Sequence, residues 1–305
     1  MKKLLAILLA VCAVTAQAQA QPNSNMFGQR DAIRIIAPNP PGGTFDKVAR
    51  AVQQSLQDVL GQSVVVENRP GANGAIGGRE LINHRGDEPL MQVSGTSLFI
   101  HNPHIDGFTD MDAVFYLGYV PEAIVVRSDF KYNSAADLVK NSTERLTLAN
   151  LSLGDASTIF KATTKKPNID LITYKGSAQS LVDVLGGHLD MTSAGVPNIK
   201  GFHEAGKIKI LGVAGSQRST FFPEVPTFKE QGINMPATLK FYVWVNKGAD
   251  PAKVAKLVLQ IKTATQSKEF HEVRRQLSLI DDGLGGLSVP QHFLAGKNAV
   301  YDVLK

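Results

Sequence analysis

From Ile33 onward, short β-branched runs alternate with stretches of helical periodicity, and this alternation constrains the fold more than any other feature of the chain. It is the signature of α/β units built around a mainly parallel sheet. Ile33-Arg34-Ile35-Ile36-Ala37 reads as the first strand. After the turn Pro38 to Thr44, the residues Val48, Ala49, Val52, Leu56, Val59 and Leu60 recur at helical spacing, and Gly61 closes the helix. Val64-Val65-Val66 and Leu90 to Ser94 are the next strands, with Gly74 to Asn83 helical between them. Leu146 to Asn150, Leu171 to Tyr174, Leu189 to Thr192 and Ile208 to Ala214 continue the series. Helices are predicted at Ala156 to Thr163 and from Ser177 to Gly186-Gly187. Ser134, Ser177, Ser267 and Ser288 are predicted caps, and Asp250-Pro251 is a cap followed by proline at the first helical position.

A chain of 305 residues fits two lobes, at a prior of about 150 residues per domain. No Ser/Gly linker or internal repeat divides it, so the chain is expected to cross between lobes more than once. The strand-like stretches Val114 to Val126 and Lys240 to Val245 are the candidate crossings. That geometry places a ligand cleft between the lobes, hinged at those strands.

The first residues are read as a leader. Met1-Lys2-Lys3 is basic, Leu4 to Val14 is apolar, and Ala18-Gln19-Ala20 has the form of a signal-peptidase site. Cleavage is expected after Ala20, with Ala18 as the neighbouring alternative and a lipobox-like Leu9 to Cys12 as a second one. Cleavage after Ala20 removes the one cysteine, so disulfides are not available to the exported chain. It also takes the 32 basic residues to 30 against 27 acidic ones, a charge of +3 that argues only weakly for an acidic polymer partner. No later segment has the length and apolarity of a membrane helix.

The strongest local feature is Pro38-Asn39-Pro40-Pro41-Gly42-Gly43-Thr44-Phe45-Asp46. Its prolines fix an extended approach, its glycines admit close backbone contact, and a helix begins at Thr44 or Phe45. The free N–H groups there can receive a carboxylate or phosphate oxygen without Lys or Arg; the same pattern also suits a turn that serves packing alone. Ser94-Gly95-Thr96-Ser97 and Ser152 to Ser157 are similar turns, each taken singly reading first as an ordinary turn or cap. Tyr174-Lys175-Gly176-Ser177 is another, with Lys175 a cleft cation or a solvated loop lysine. Phe221-Phe222 and Trp244 read as core or hinge. Nucleotide-binding loops, a nucleophile elbow and H-E-x-x-H are all lacking. His101 and His104 flank a proline that argues against a helical metal pair. A hydrolase would have to draw on Asp46, Asp155 and Asp190, which have no accompanying base or nucleophile.

These residues together resemble the substrate-binding proteins of the tripartite tricarboxylate transporter family, often called Bug receptors. The likeness rests on the loop Pro38 to Gly43 with Asp46 and Ala49-Arg50, and on Val64 to Ala72 with Gly74, Ile76 and Gly77. It continues through Tyr174-Lys175-Gly176, Leu185 to Asp190, Ala205 to Ile208, Gln217-Arg218-Ser219, Pro223 to Thr227 and Glu230-Gln231-Gly232. The resemblance implies an α/β two-lobe periplasmic binding protein of the type II, Venus-flytrap kind, with mainly parallel sheets and two crossover hinge strands. Its lobes would be 21–122 with 241–305, and 123–240, after a signal peptide 1–20. It further implies a periplasmic monomer without enzymatic activity, cofactor or metal. Such a receptor binds a small organic carboxylate and serves a membrane permease, or alternatively docks on a sensor kinase. Carried over, the ligand site comprises Asn39, Pro41, Gly42, Gly43, Thr44, Phe45 and Asp46, faced by Thr96 and Ser97. Gly154, Asp155, Ala156, Ser157, Tyr174, Lys175, Gly176 and Ala194 complete it. Asn39, Phe45, Asp155, Thr158 and the Thr192-Ser193-Ala194 segment depart from the family pattern. Phe45 would narrow the pocket or stack on a ring, and Asp155 would repel a carboxylate or attract an amine.

Overall fold

The computed structural model describes residues 32–304, apart from 87, 102–110, 151–153, 175–176 and 238. The expected leader with Cys12, together with His104, Lys175 and Gly176, lies outside the described residues, as do the side chains of Ser97 and His101. The strands are β1 (Ile33–Ala37), β2 (Val64–Asn68), β3 (Met91–Gly95), β4 (Met111–Tyr119), β5 (Glu122–Arg127), β6 (Leu146–Asn150), β7 (Ile169–Thr173), β8 (Met191–Gly195), β9 (Ile208–Ala214) and β10 (Lys240–Asn246). The helices are α1 (Thr44–Leu60), α2 (Ala75–Asn83), α3 (Thr96–His101), α4 (Ala135–Asn141), α5 (Ala156–Thr164), α6 (Ser177–Gly186), α7 (Val196–Glu204), α8 (Pro251–Ala264), α9 (Lys268–Leu277) and α10 (Val289–Leu304).

Two five-stranded sheets form, in the orders β2-β1-β3-β10-β4 and β7-β6-β8-β5-β9. The sheets are mixed, with four of the five strands in each running the same way, so they are mainly parallel as expected. In each, the first three strands are parallel, and the fourth runs antiparallel to both its neighbours. The reason is the path of the chain. β5 and β10 each enter their sheet directly after the chain has come over from the other one, so they start where the parallel strands end. The stretch Val114 to Val126 is accordingly two strands, β4 in one sheet and β5 in the other, joined through Val120-Pro121. Proline has no N–H for a ladder, which suits the junction between sheets.

Helix α1 buries Val48, Ala49, Val52, Leu56 and Leu60 along one stripe and ends at Gly61, left-handed at φ 61°. The stripe packs in an apolar cluster that runs from β1 and β3 through Val120 and Phe241 to Ala123, Ala194 and Val213 of the second sheet. The other faces carry separate cores. In the first lobe, Trp244 is fully buried with ring centroids 4.6 Å from Phe99 and 4.7 Å from Phe293. In the second, Ile159 and Phe160 of α5 pack with Leu148, Met191 and Phe228.

The last helix belongs to both lobes. Phe293 of α10 packs in the Trp244 cluster, whereas Val300 lies in the core of the second lobe, where Tyr301, Val303 and Leu304 also pack. The segment 241–305, read from the sequence as part of the first lobe, therefore reaches the second core at its end. Ser134, Asp250 and Ser267 cap their helices as expected, while Ser177 is itself the first residue of α6.

Replacing Trp244 with Ala strips the indole from between Phe99 and Phe293. Urea denaturation should show a loss of about 3–5 kcal/mol, the cost of a large unfilled core cavity.

Candidate functional site

Strand register fixes where the two lobes face each other. Gly95 at the end of β3 pairs with Phe241 at the start of β10, and Tyr119 at the end of β4 pairs with Lys240. In the second sheet, Glu122 at the start of β5 pairs with Gly195 and Ala214, the ends of β8 and β9. The carboxyl ends of the parallel strands in both sheets therefore lie at the end where the chain crosses. In open α/β sheets that edge is where ligands bind. The loop after β1, Thr96 after β3, Gly154 to Ser157 after β6, Tyr174 after β7 and Ala194 in β8 all belong to this edge.

The loop after β1 is held from below by Asp46, which is 2% exposed. One carboxylate oxygen accepts from the Gly42 amide at 2.8 Å and the other from Asn68 Nδ2 at 2.8 Å, while Arg50 Nε donates at 3.1 Å. The same Asn68 amide donates to the Asn39 carbonyl at 3.0 Å, tying the loop to the end of β2. Burial pushes the Asp46 carboxyl upward, and the bonds from Arg50, Gly42 and Asn68 outweigh it, so it sits below its ordinary 3.8. Asp46, expected to touch ligand, is thus turned inward and positions the loop. Gly42 has φ +83° and Gly43 caps α1 with no side-chain cap bond. The Gly43 amide itself donates to the Pro40 carbonyl at 3.3 Å, and the first helical bond runs from Lys47 to the Gly43 carbonyl. That leaves Thr44, Phe45 and Asp46 amides without intrahelical acceptors at the positive end of α1. Phe45 stacks its ring 4.8 Å from that of Phe241.

Across the crossing, Asp155 is 7% exposed and accepts from the Thr158 amide at 2.7 Å. It caps α5, so one of its carboxylate oxygens serves the helix. Gly154 is left-handed and packs directly on Ile100 and Val300, so the lobes meet at this point. Ala156 is buried in the second core, and the Ser157 hydroxyl is buried with no hydrogen-bond partner among the described residues. The Ser193 hydroxyl of β8 is in the same condition. Tyr174 gives its hydroxyl to Asp183 at 2.6 Å, and Ala194 is buried in the shared apolar cluster. Pro41 is exposed and Thr96 is buried at the start of α3.

One group that the sequence reading did not single out stands at the same edge. Lys240 opens β10, and its Nζ donates to His292 Nε2 at 3.4 Å and lies 5.9 Å from the centre of the Tyr116 ring. A neutral His292 accepting at Nε2 carries its proton at Nδ1, which faces the Tyr242 hydroxyl at 3.1 Å. Burial lowers the Lys240 ammonium from its ordinary value, with Asp282 pulling the other way. Burial, then the Lys240 charge, lowers His292 in turn. Lysine before the apolar run Phe241 to Val245 was the visible signal. Two cavities among the described residues, of about 430 Å³ by Arg218 and about 200 Å³ by Arg127, contain none of the expected site residues.

The model of the tripartite tricarboxylate transporter family receptor matches residues 48–280. The chain belongs to that family. Protein BugT of Bordetella pertussis is 33% identical over 290 residues, 89% of this chain and 87% of the relative. The solved periplasmic binding protein BugD is 26% identical with a TM-score of 0.71, covering 89% of this chain and 95% of its own. An R. palustris protein solved with adipate shares the fold at 24% identity and a TM-score of 0.74, covering 89% and 95%. The two solved structures share the fold of this chain. No helix among the described residues is long and apolar enough to cross a membrane.

The depressed Asp46 carboxyl contributes stability above its unfolded value of 3.8 and loses it as pH falls through the lower folded value. Asp46→Ala should therefore flatten the acid-side fall in stability and cost about 1–3 kcal/mol at neutral pH, both read from urea titrations across pH.

Proposed function

We propose that this protein is a periplasmic solute receptor that binds a small organic carboxylate between its lobes and presents the liganded form to a membrane permease. The observation that carries the reading is the uncapped start of α1 at the crossing edge. There, free amides of Thr44 and Phe45 follow a loop held rigid by Asp46 and Asn68. A carboxylate accepting from such amides gains charge-assisted hydrogen bonds and the favourable end of the helix dipole. Buried hydroxyls of Ser157 and Ser193, without partners among the described residues, supply polar groups on the opposite lobe. Because the ligand touches both lobes, it binds the closed arrangement preferentially and shifts the population toward it. The lobes are divided at the crossings, 21–122 with 241–305 against 123–240, with the end of α10 reaching over to the second core, and the exported chain works as a monomer. Its place in the periplasm rests on the leader and on family membership. A receptor of this kind releases its ligand unchanged.

A thermal-shift screen of mono-, di- and aromatic carboxylates should find compounds that raise the unfolding midpoint. Gly43 has φ −68° and ψ 166°, open to any L residue, and a Cβ there would stand 3.3 Å from the Pro40 carbonyl. Gly43→Val should fold with the Pro40 carbonyl shifted by a few tenths of an ångström, its methyls crowding the Thr44 and Phe45 amides. Calorimetry is expected to show at least about tenfold weaker binding of the best carboxylate. Unchanged affinity in that variant would overturn the assignment of the loop.

A further inference from the structure

We propose that Lys240 is a second ligand-binding cation in the cleft and that it selects ligands carrying two carboxylates. This deepens the carboxylate reading above and rests on it. Lys240 is the first residue of β10, at the edge where the chain crosses. Along β10 the side chains alternate between faces: Phe241 packs with the α1 cluster, and Tyr242 and Trp244 pack with the α10 cluster. Lys240 shares the side of Tyr242. Its stem runs beside Gly296 of α10, where a Cβ would lie 3.6 Å from Lys240 Cδ, 3.8 Å from Nζ and 3.8 Å from Thr96 Cγ2. The ammonium and Thr96, one of the residues expected at the site, thus both flank Gly296.

Its surroundings do not neutralise it. The hydrogen-bond partner is His292, a neutral ring. The acid whose charge acts on it is Asp282, whose carboxylate accepts from Tyr116 at 2.7 Å, and no ion pair links Lys240 to any acid among the described residues. A half-buried cation without an anion is costly to hold. An anionic group arriving at this edge would remove that cost.

Gly95 separates the two positive centres. A Cβ at Gly95 would collide with the Lys240 carbonyl and would touch Phe45 Cε1 at 3.3 Å. The start of α1 therefore lies on one side of the β3–β10 edge, and the Lys240 side chain leaves on the other. A linear dianion can lie across this edge, with one carboxylate on the Thr44 and Phe45 amides and the other on Lys240. A monocarboxylate can use only one of the two.

The test measures calorimetric affinities of the mature protein for α,ω-dicarboxylates of graded length, each beside the monocarboxylate of equal chain length. Wild type should prefer one dicarboxylate by at least about tenfold, the worth of a charge-assisted hydrogen bond. Lys240→Met should bring that ratio close to one, and Lys240→Arg should restore most of it. Unfolding midpoints without ligand should be no lower in Lys240→Met than in wild type, since an unpaired cation has been removed. Equal binding of both classes by wild type, or a ratio untouched in Lys240→Met, overturns the proposal while the carboxylate reading stands. Failure of wild type to bind any carboxylate in the series overturns both.

Discussion

Asp46 is the interaction on which the proposed site depends. A glycine-rich loop between strand and helix has no rigidity of its own, and a helix start without a side-chain cap leaves its first amides exposed to competition from water. The buried carboxylate answers the first problem by binding the Gly42 amide and the Asn68 side chain, with Arg50 closing the set. Asn68 carries the restraint to the end of the neighbouring strand and to the Asn39 carbonyl. The loop is thereby fixed before a ligand arrives, so little ordering entropy remains to be lost on binding.

How far the sequence disclosed this depends on whether the interaction is local. Strands β1, β6 and β9 lie where their β-branched runs predicted, because alternation of apolar side chains is a local property. β8 is displaced toward Met191–Gly195 from the expected Leu189 to Thr192. Its Thr192 and Ser193 are fully buried, and Thr192 shares a hydrogen bond with Ser180, so polarity there marks interior and not surface. Antiparallel pairing of β5 and β10 was not legible, since direction is set by the route between lobes. The site loop was legible in its prolines and glycines, whereas the inward role of Asp46 needed Asn68, twenty-two positions along the chain. Asp155 has a scaffold role of the opposite, local kind, capping α5 through the Thr158 amide three residues on.

The two sheets repeat one design without any visible repeat in the sequence. Each sets three parallel strands beside a strand received from the other lobe, and each ends with a strand that leads back across. The arrangement puts two sets of strand ends face to face, so polar loops from both lobes converge without any long connection. It also brings the start of β10 to the crossing, where Phe241 packs its ring on Phe45.

Helix α10 restricts how these halves can part. With Phe293 anchored among Phe99 and Trp244 and Val300 seated near Ile159 and Phe160, it acts as a strut along one flank. Gly154 pressed on Ile100 and Val300 pins that flank further. The closing turns of the chain are thereby stitched into the core that its middle third builds.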